Sequence, residues 1–239
     1  MAQAAAVAAG EWLRRVLSEK ERAAVILASA TSQIRFLDRL ICQPQIDWSR
    51  LTFFHMDEYL GIPEDHPASF RRFIRERVAE KLPQAAFHYI QGDSPEPLRE
   101  CRRYCDLLHN QPIDLCCLGI GENGHIAFND PHVANLRDPH TIKLVQLDEA
   151  CRKQQVGEGC FPDLNAVPQY AFTITIPGLM RARRIIGVAP ERRKAKAVKN
   201  ALEKEVCKDC PASVLRQHPN AALFLDADSA SELEAFQPG

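Results

Sequence analysis

The chain has 239 residues, 46% of them hydrophobic, with 30 basic and 31 acidic side chains and a formal net charge of −1. That length and apolar share suffice for a sizeable buried core. The balanced charge excludes an overall electrostatic footprint for nucleic acid or an anionic membrane surface, which leaves a small solute as the expected partner.

The N-terminal segment is Ala-rich, and its apolar residues recur at three-to-four spacing, predicting a helix over Gln3–Leu17. Glu11 and Arg14-Arg15 arrive early and no basic segment precedes the apolar residues, so the segment does not read as a secretory signal. Apolar runs then recur at Ala23–Ala28, Leu51–Met56, Leu115–Ile120, Ala171–Ile176, Ile185–Ala189 and Ala222–Leu225, none of membrane-spanning length. Between them lie helical patterns at Ser32–Leu40, Ala68–Lys81, Pro97–His109 and Arg192–Glu205. Segments 91–97 and 129–140, rich in Pro, Gly, Asp and Asn, read as loops. This alternation predicts an α/β fold with a mainly parallel sheet covered by helices. Without repeats, low-complexity tracts or a composition shift, residues 1–239 read as one domain.

Nine cysteines, an odd number, fall mostly in predicted helices and strands, and read as reduced thiols of a cytoplasmic protein. Cys116 and Cys117 sit in an apolar run as core filler. Cys207-Lys208-Asp209-Cys210 is a lone CxxC without the second pair that a zinc site needs.

In open parallel sheets ligands collect beyond the carboxyl ends of the strands, so the residue after each run carries most information. After the first run comes Ser29-Ala30-Thr31-Ser32, where hydroxyls and free amides at a helix start suit a phosphate or serve as an ordinary cap. After the second comes Asp57-Glu58-Tyr59-Leu60-Gly61. A carboxylate at the end of a buried strand is desolvated, which raises its pKa toward the range of a carbon base, although a capping role fits the same position. After the third comes Gly119-Ile120-Gly121-Glu122-Asn123-Gly124-His125, with Asp130 five residues on. Glycines at 119, 121 and 124 let amides approach a ligand closely. His125 with a nearby acid is a proton-transfer pair, and one His with one acid lacks a third metal ligand. After Ile185–Ala189 comes the basic Arg192-Arg193-Lys194, an anion site or a solvated face. The other histidines read as structural or solvent-facing, and Arg71-Arg72 with Arg75-Glu76-Arg77 as a solvated helix face.

Met56-Asp57-Glu58-Tyr59-Leu60-Gly61, Asp65-His66-Pro67-Ala68-Ser69-Phe70 and Gly119-Ile120-Gly121-Glu122-Asn123-Gly124-His125-Ile126-Ala127-Phe128-Asn129-Asp130-Pro131 resemble the glucosamine-6-phosphate deaminase family. The resemblance extends over nearly the whole chain, through Leu27–Ser32, Asn165–Ala171, Arg193-Lys194-Ala195 and Gln217–Ala221. It implies a modified Rossmann-type three-layer sandwich and a reaction without metal or cofactor: ring opening, aldose-to-ketose isomerisation, and release of ammonia to give fructose 6-phosphate. It also implies roles. Asp57 moves a proton between C2 and C1, His125 serves ring opening, and Asp130, where the family has Glu, orients the imidazole beside Asn123. Ser29, Ala30, Thr31, Ser32, Gly121 and Lys194 bind the substrate, a phosphorylated amino sugar.

Several positions depart from the family pattern. Asn123 stands where many members carry Asp, Ala30 replaces a loop glycine and Gln33 a proline. The family's substrate-binding arginine aligns with Glu158, leaving Arg152 or Lys153 as stand-ins. The serine-rich segment of allosterically regulated members is missing after Pro131, and a homo-oligomer is left open. The rival readings are a 6-phosphogluconolactonase, an isomerase of another amino-sugar phosphate, and a non-catalytic sugar-phosphate sensor. Lactonases carry Asp before the Gly-His pair and another tail after the His, and a sensor has no need of both Asp57 and His125.

Overall fold

The computed structural model describes residues 1–157, 159 and 161–235. The first elements are helix α1 (Ala2–Glu19), strand β1 (Ala23–Leu27), helix α2 (Ile34–Leu40), strands β2 (Leu51–His55) and β3 (Asp57–Tyr59), and helix α3 (Phe70–Arg77). There follow β4 (Ala86–His88), α4 (Pro97–His109), β5 (Leu115–Leu118), β6 (Ile142–Gln146) and α5 (Glu149–Gly157). The chain continues through β7 (Tyr170–Ile174), α6 (Ile176–Met180), β8 (Ile185–Ala189), α7 (Ala195–Glu203), β9 (Ala221–Leu225) and α8 (Ala227–Ala230).

Six strands form a parallel sheet in the order β4-β2-β1-β5-β8-β9. The apolar runs are continuous because side chains alternate between two covered faces. Ala23, Val25 and Leu27 of β1 face the core under α1 and α2, with Phe53, Cys117, Ile186 and Val188. Ala24 and Ile26 face the opposite core, with Phe54, Cys116, Tyr104 of α4 and Val198 of α7. The result is a three-layer α/β sandwich. Each fully buried Leu, Ile or Phe contributes about 1.5–3 kcal/mol, so a core of this size tolerates buried carboxylates that each cost several kcal/mol.

Strand order fixes the site. From β1 the chain winds outward through β2 to β4, then returns to the other side of β1 as β5. The carboxyl ends of β1 and β5 therefore diverge at a topological switch point, where a crevice opens.

A second sheet, β3-β7-β6, is antiparallel, with Asp57 opposite Thr173 and Ile142 opposite Ile174. Part of the expected sheet is corrected here, because the run placed in the parallel sheet at 171–176 forms the middle strand of this smaller one. Thr175 ends it by accepting from the Gly178 N–H and starting α6, which carries Pro177 in its first turn. Met56 joins the two sheets: its N–H donates to Leu27 O and its carbonyl accepts from Ile174 N–H at 2.8 Å. Asp57 is thus the first residue beyond that junction. Expected helix starts at 32, 68 and 192 shift as well, with 3₁₀ turns at Thr31–Gln33 and Arg192–Lys194 leading into α2 and α7, and α3 starting at Phe70 behind its cap Ser69.

Candidate active site

Each site residue stands at a strand end or the loop after it. Ala28 follows β1 and donates its N–H to Cys117 O, so the chain leaves the sheet at Ser29. The Thr31–Gln33 turn and α2 both begin without a side-chain cap. The hydroxyls at 29, 31 and 32 are therefore not spent on capping, and Ser29 Oγ is buried with no hydrogen-bond partner, which an incoming anion would supply. Ala30 has φ −139° and ψ 157°, extended backbone that needs no glycine. Buried Gln33 braces the loop, with Nε2 donating to Val188 O at 3.2 Å and Ser32 Oγ at 3.3 Å.

Asp57 is 7% exposed, and burial followed by the neighbouring Glu58 carboxylate pushes its pKa well above the usual carboxylate range. Glu58 points the other way. Burial raises its pKa too, while donors at Arg71 N, Phe70 N, Ser69 Oγ and Tyr59 N pull it down. It thereby ties β3 to the start of α3. The expectation of a solvated Arg71 is corrected: its guanidinium is buried, 3.7 Å from Glu58 and 2.9 Å from Asp93. His55, behind Asp57, accepts from Ile90 N–H through Nε2 at 2.8 Å, and burial lowers its pKa to about 3.

The β5 loop closes on itself through Gly121 N–H to His125 O at 2.9 Å. A Cβ on Gly121 would lie 2.2 Å from His125 Cε1, so the imidazole rests directly on that α-carbon. Gly124, at φ +85°, packs so closely on Cys210 that a Cβ would meet Sγ at 2.6 Å. His125 Nδ1 lies 2.9 Å from Asp130 Oδ1, yet its N–H is not aligned for a proper hydrogen bond. Asn123 completes the set: its Nδ2 donates to Asp130 Oδ1 at 2.8 Å and its Oδ1 accepts from His125 N–H at 3.0 Å. An aspartate at 123 would face the Asp130 carboxylate, which explains the neutral amide beside a short acid. Burial raises the Asp130 pKa, but contacts with His125, Asn123 and Cys151 outweigh it and hold the group ionised.

Ser29, Ala30, Thr31, Ser32, Asp57, Gly121, His125 and Lys194 all line one cleft. Asn123 and Asp130 do not line it and stand behind His125. Phe70, Phe73, Phe128 and Gln155, to which the sequence assigns no site role, complete the walls together with Arg193 of the basic Arg192-Arg193-Lys194 run. Phe70 and Phe128 are stacked with centroids 5.7 Å apart, an apolar wall for a sugar face. Arg193, beside Lys194, reaches Glu122 at 3.1 Å and Glu191 at 2.7 Å. Neither stand-in for the arginine lines the cleft: Arg152 donates to the carbonyls of Leu164 and Val167, and Lys153 pairs with Glu149 on the surface. Glu158 lies outside the described residues. The CxxC cysteines form an isolated antiparallel bridge beneath Gly124, and no trio of His, Cys, Asp or Glu among the described residues is placed to hold a metal ion.

The family model of glucosamine-6-phosphate isomerases/6-phosphogluconolactonase matches residues 1–224. A glucosamine-6-phosphate deaminase of Exiguobacterium sp. is 38% identical over 79% of this chain and 72% of its own length. One from Bacillus cereus is 33% identical over 92% of this chain and 81% of its own. In three dimensions the chain superposes on a monomeric glucosamine-6-phosphate deaminase with a TM-score of 0.87 and 29% identity, covering 96% of this chain and 94% of that one.

Proposed function

The chain belongs to the glucosamine-6-phosphate isomerase/6-phosphogluconolactonase family, and from that premise we propose that it is a glucosamine-6-phosphate deaminase, converting glucosamine 6-phosphate to fructose 6-phosphate and ammonia. The observation that carries this reading is the meeting, in one cleft, of a buried carboxylate at 57, an imidazole at 125 backed from outside the cleft by the Asp130 carboxylate, and an orphaned hydroxyl with a lysine at 29 and 194.

The roles follow from chemistry. The Ser29–Ser32 loop and Lys194 take the phosphate, and that remote binding energy holds the open-chain sugar against Asp57. His125 moves a proton between the ring oxygen and the C1 hydroxyl, while Asp130 and Asn123 fix its ring. Asp57 takes the C2 proton while His125 gives one to O1, leaving an enolamine, and returns its proton to C1, leaving an iminium at C2 that gives a proton back to His125 and becomes the imine. Water adds to that imine and expels ammonia. Hydrolysis of a lactone needs no base aimed at carbon, so the buried Asp57 favours the deaminase over the lactonase, and a sugar-phosphate sensor needs neither proton-transfer group.

In this reading residues 1–239 act as one isomerase/deaminase domain in the cytoplasm. Support comes from eight free thiols among the described cysteines and from the lack, among the described residues, of a helix long and apolar enough to cross a membrane. The test is a panel of hexosamine 6-phosphates scored for ammonia and ketose release. Equal release of both from glucosamine 6-phosphate is expected. Binding without ammonia release would favour the sensor, and hydrolysis of 6-phosphogluconolactone in its place the lactonase.

A further inference from the structure

Gln155, on α5, lines the cleft and is 9% exposed. Its Oε1 accepts from the Tyr59 hydroxyl at 2.7 Å, and Tyr59 is fully buried. That bond commits the oxygen end of the amide. Nε2 forms no hydrogen bond with any described residue, so the two N–H donors are what this side chain offers the cleft. Tyr59 and Asp57 are two residues apart on β3 and so share one strand face. The strand that carries the carbon base therefore also sets the direction of the Gln155 amide.

We propose that Gln155, locked by Tyr59, is a specificity-determining residue that donates its amide N–H to a hydroxyl in the middle of the sugar, at C3 or C4. The inference rests on the deaminase reading. There, one end of the six-carbon chain goes to Ser29–Ser32 and Lys194 and the other to Asp57 and His125. An uncharged donor does not compete for the phosphate with Lys194, and hydroxyls are the oxygens that remain. A donor of fixed direction also discriminates: a hydroxyl of the wrong configuration leaves a nine-tenths buried amide unpaired.

The experiment compares wild type, Gln155→Leu, Gln155→Glu and Tyr59→Phe on glucosamine 6-phosphate and its 3-deoxy and 4-deoxy analogues. Gln155→Leu is expected to lower kcat/KM roughly tenfold to a hundredfold on the parent sugar, and to have little effect on the analogue lacking the hydroxyl it reads. Gln155→Glu keeps the acceptor for Tyr59 and removes the donors, so it should lose as much while melting like wild type. Tyr59→Phe should lose less, and the double variant no more than Gln155→Leu alone, because both act through one contact. Equal losses on all three sugars, or an unchanged kcat/KM in Gln155→Glu, would overturn the proposal. Should wild type release no ammonia from any hexosamine phosphate, the deaminase reading falls by itself. Calorimetric affinities of the same sugars for wild type and Gln155→Glu then decide the amide contact separately, with an unchanged ratio overturning it.

Discussion

His125 Nδ1 and Asp130 Oδ1 are 2.9 Å apart, and the carboxylate they share with Asn123 has no exposed surface. A buried acid behind an imidazole serves to fix the ring and to stabilise its protonated form. Asp130→Asn removes the charge and keeps the shape. It is expected to lower kcat by about tenfold to a hundredfold with KM little changed, measured by steady-state ammonia release. An unaltered kcat would remove Asp130 from the proton-transfer set.

Gly121 gives a second handle on the same ring. A Cβ placed 2.2 Å from Cε1 must push the imidazole aside, and the side chain can move because it faces the cleft. Gly121→Ala should therefore fold normally and lose about a hundredfold in kcat, the usual cost of a reacting group displaced by about 1 Å. Thermal melting alongside kinetics checks this, since a large fall in melting temperature would trace the loss to folding instead.

Asp57 must be ionised to accept a proton, so kcat/KM rises with pH as this group loses its own. Its raised pKa puts that acid limb above the ordinary carboxylate range near 3.8. Burial is the main cause and the Glu58 charge the second. Glu58→Gln keeps an acceptor for the α3 amides and removes the negative charge, so the limb should move to lower pH, by on the order of one unit or less, and remain above 3.8. Superimposable pH profiles would show that Glu58 does not act on Asp57.

His55 bears on stability. Its pKa is about 3 in the folded chain against 6.5 unperturbed, so between these values the unfolded chain binds the extra proton. The stabilising contribution is therefore complete above pH 6.5 and is lost as pH falls toward 3, by up to about 1.4 kcal/mol per pH unit. Urea unfolding at pH 7, 6, 5 and 4 should show a shallower acid decline for His55→Gln than for wild type. Parallel curves would contradict the assignment.

Much of this architecture was legible in the residues. The parallel strands at 23, 51, 115 and 185 announce themselves because both faces are covered, which leaves unbroken apolar runs. The strand-end rule then points to part of the cleft lining, Ser29, Asp57, His125 and Lys194. The antiparallel sheet was hidden for physical reasons. Its strand β3 is three residues long and carries two acids, so nothing in it marks a strand separate from the run before it, and an apolar run such as 170–174 looks the same in either sheet. Arg71 reads as solvated because its partners, buried Glu58 and exposed Asp93, lie 13 and 22 residues away in sequence. Gln155 sits in the polar stretch Arg152-Lys153-Gln154-Gln155, where no periodicity marks one residue as inward-facing.

The central claim is that the Asp57 carboxylate acts on carbon in a cleft that binds the sugar phosphate through other groups. Asp57→Asn, titrated with glucosamine 6-phosphate in a calorimeter and assayed for ammonia, tests it most directly. Affinity within a few-fold of wild type together with a loss of at least about a thousandfold in turnover is expected. Turnover retained while affinity collapses would contradict the account.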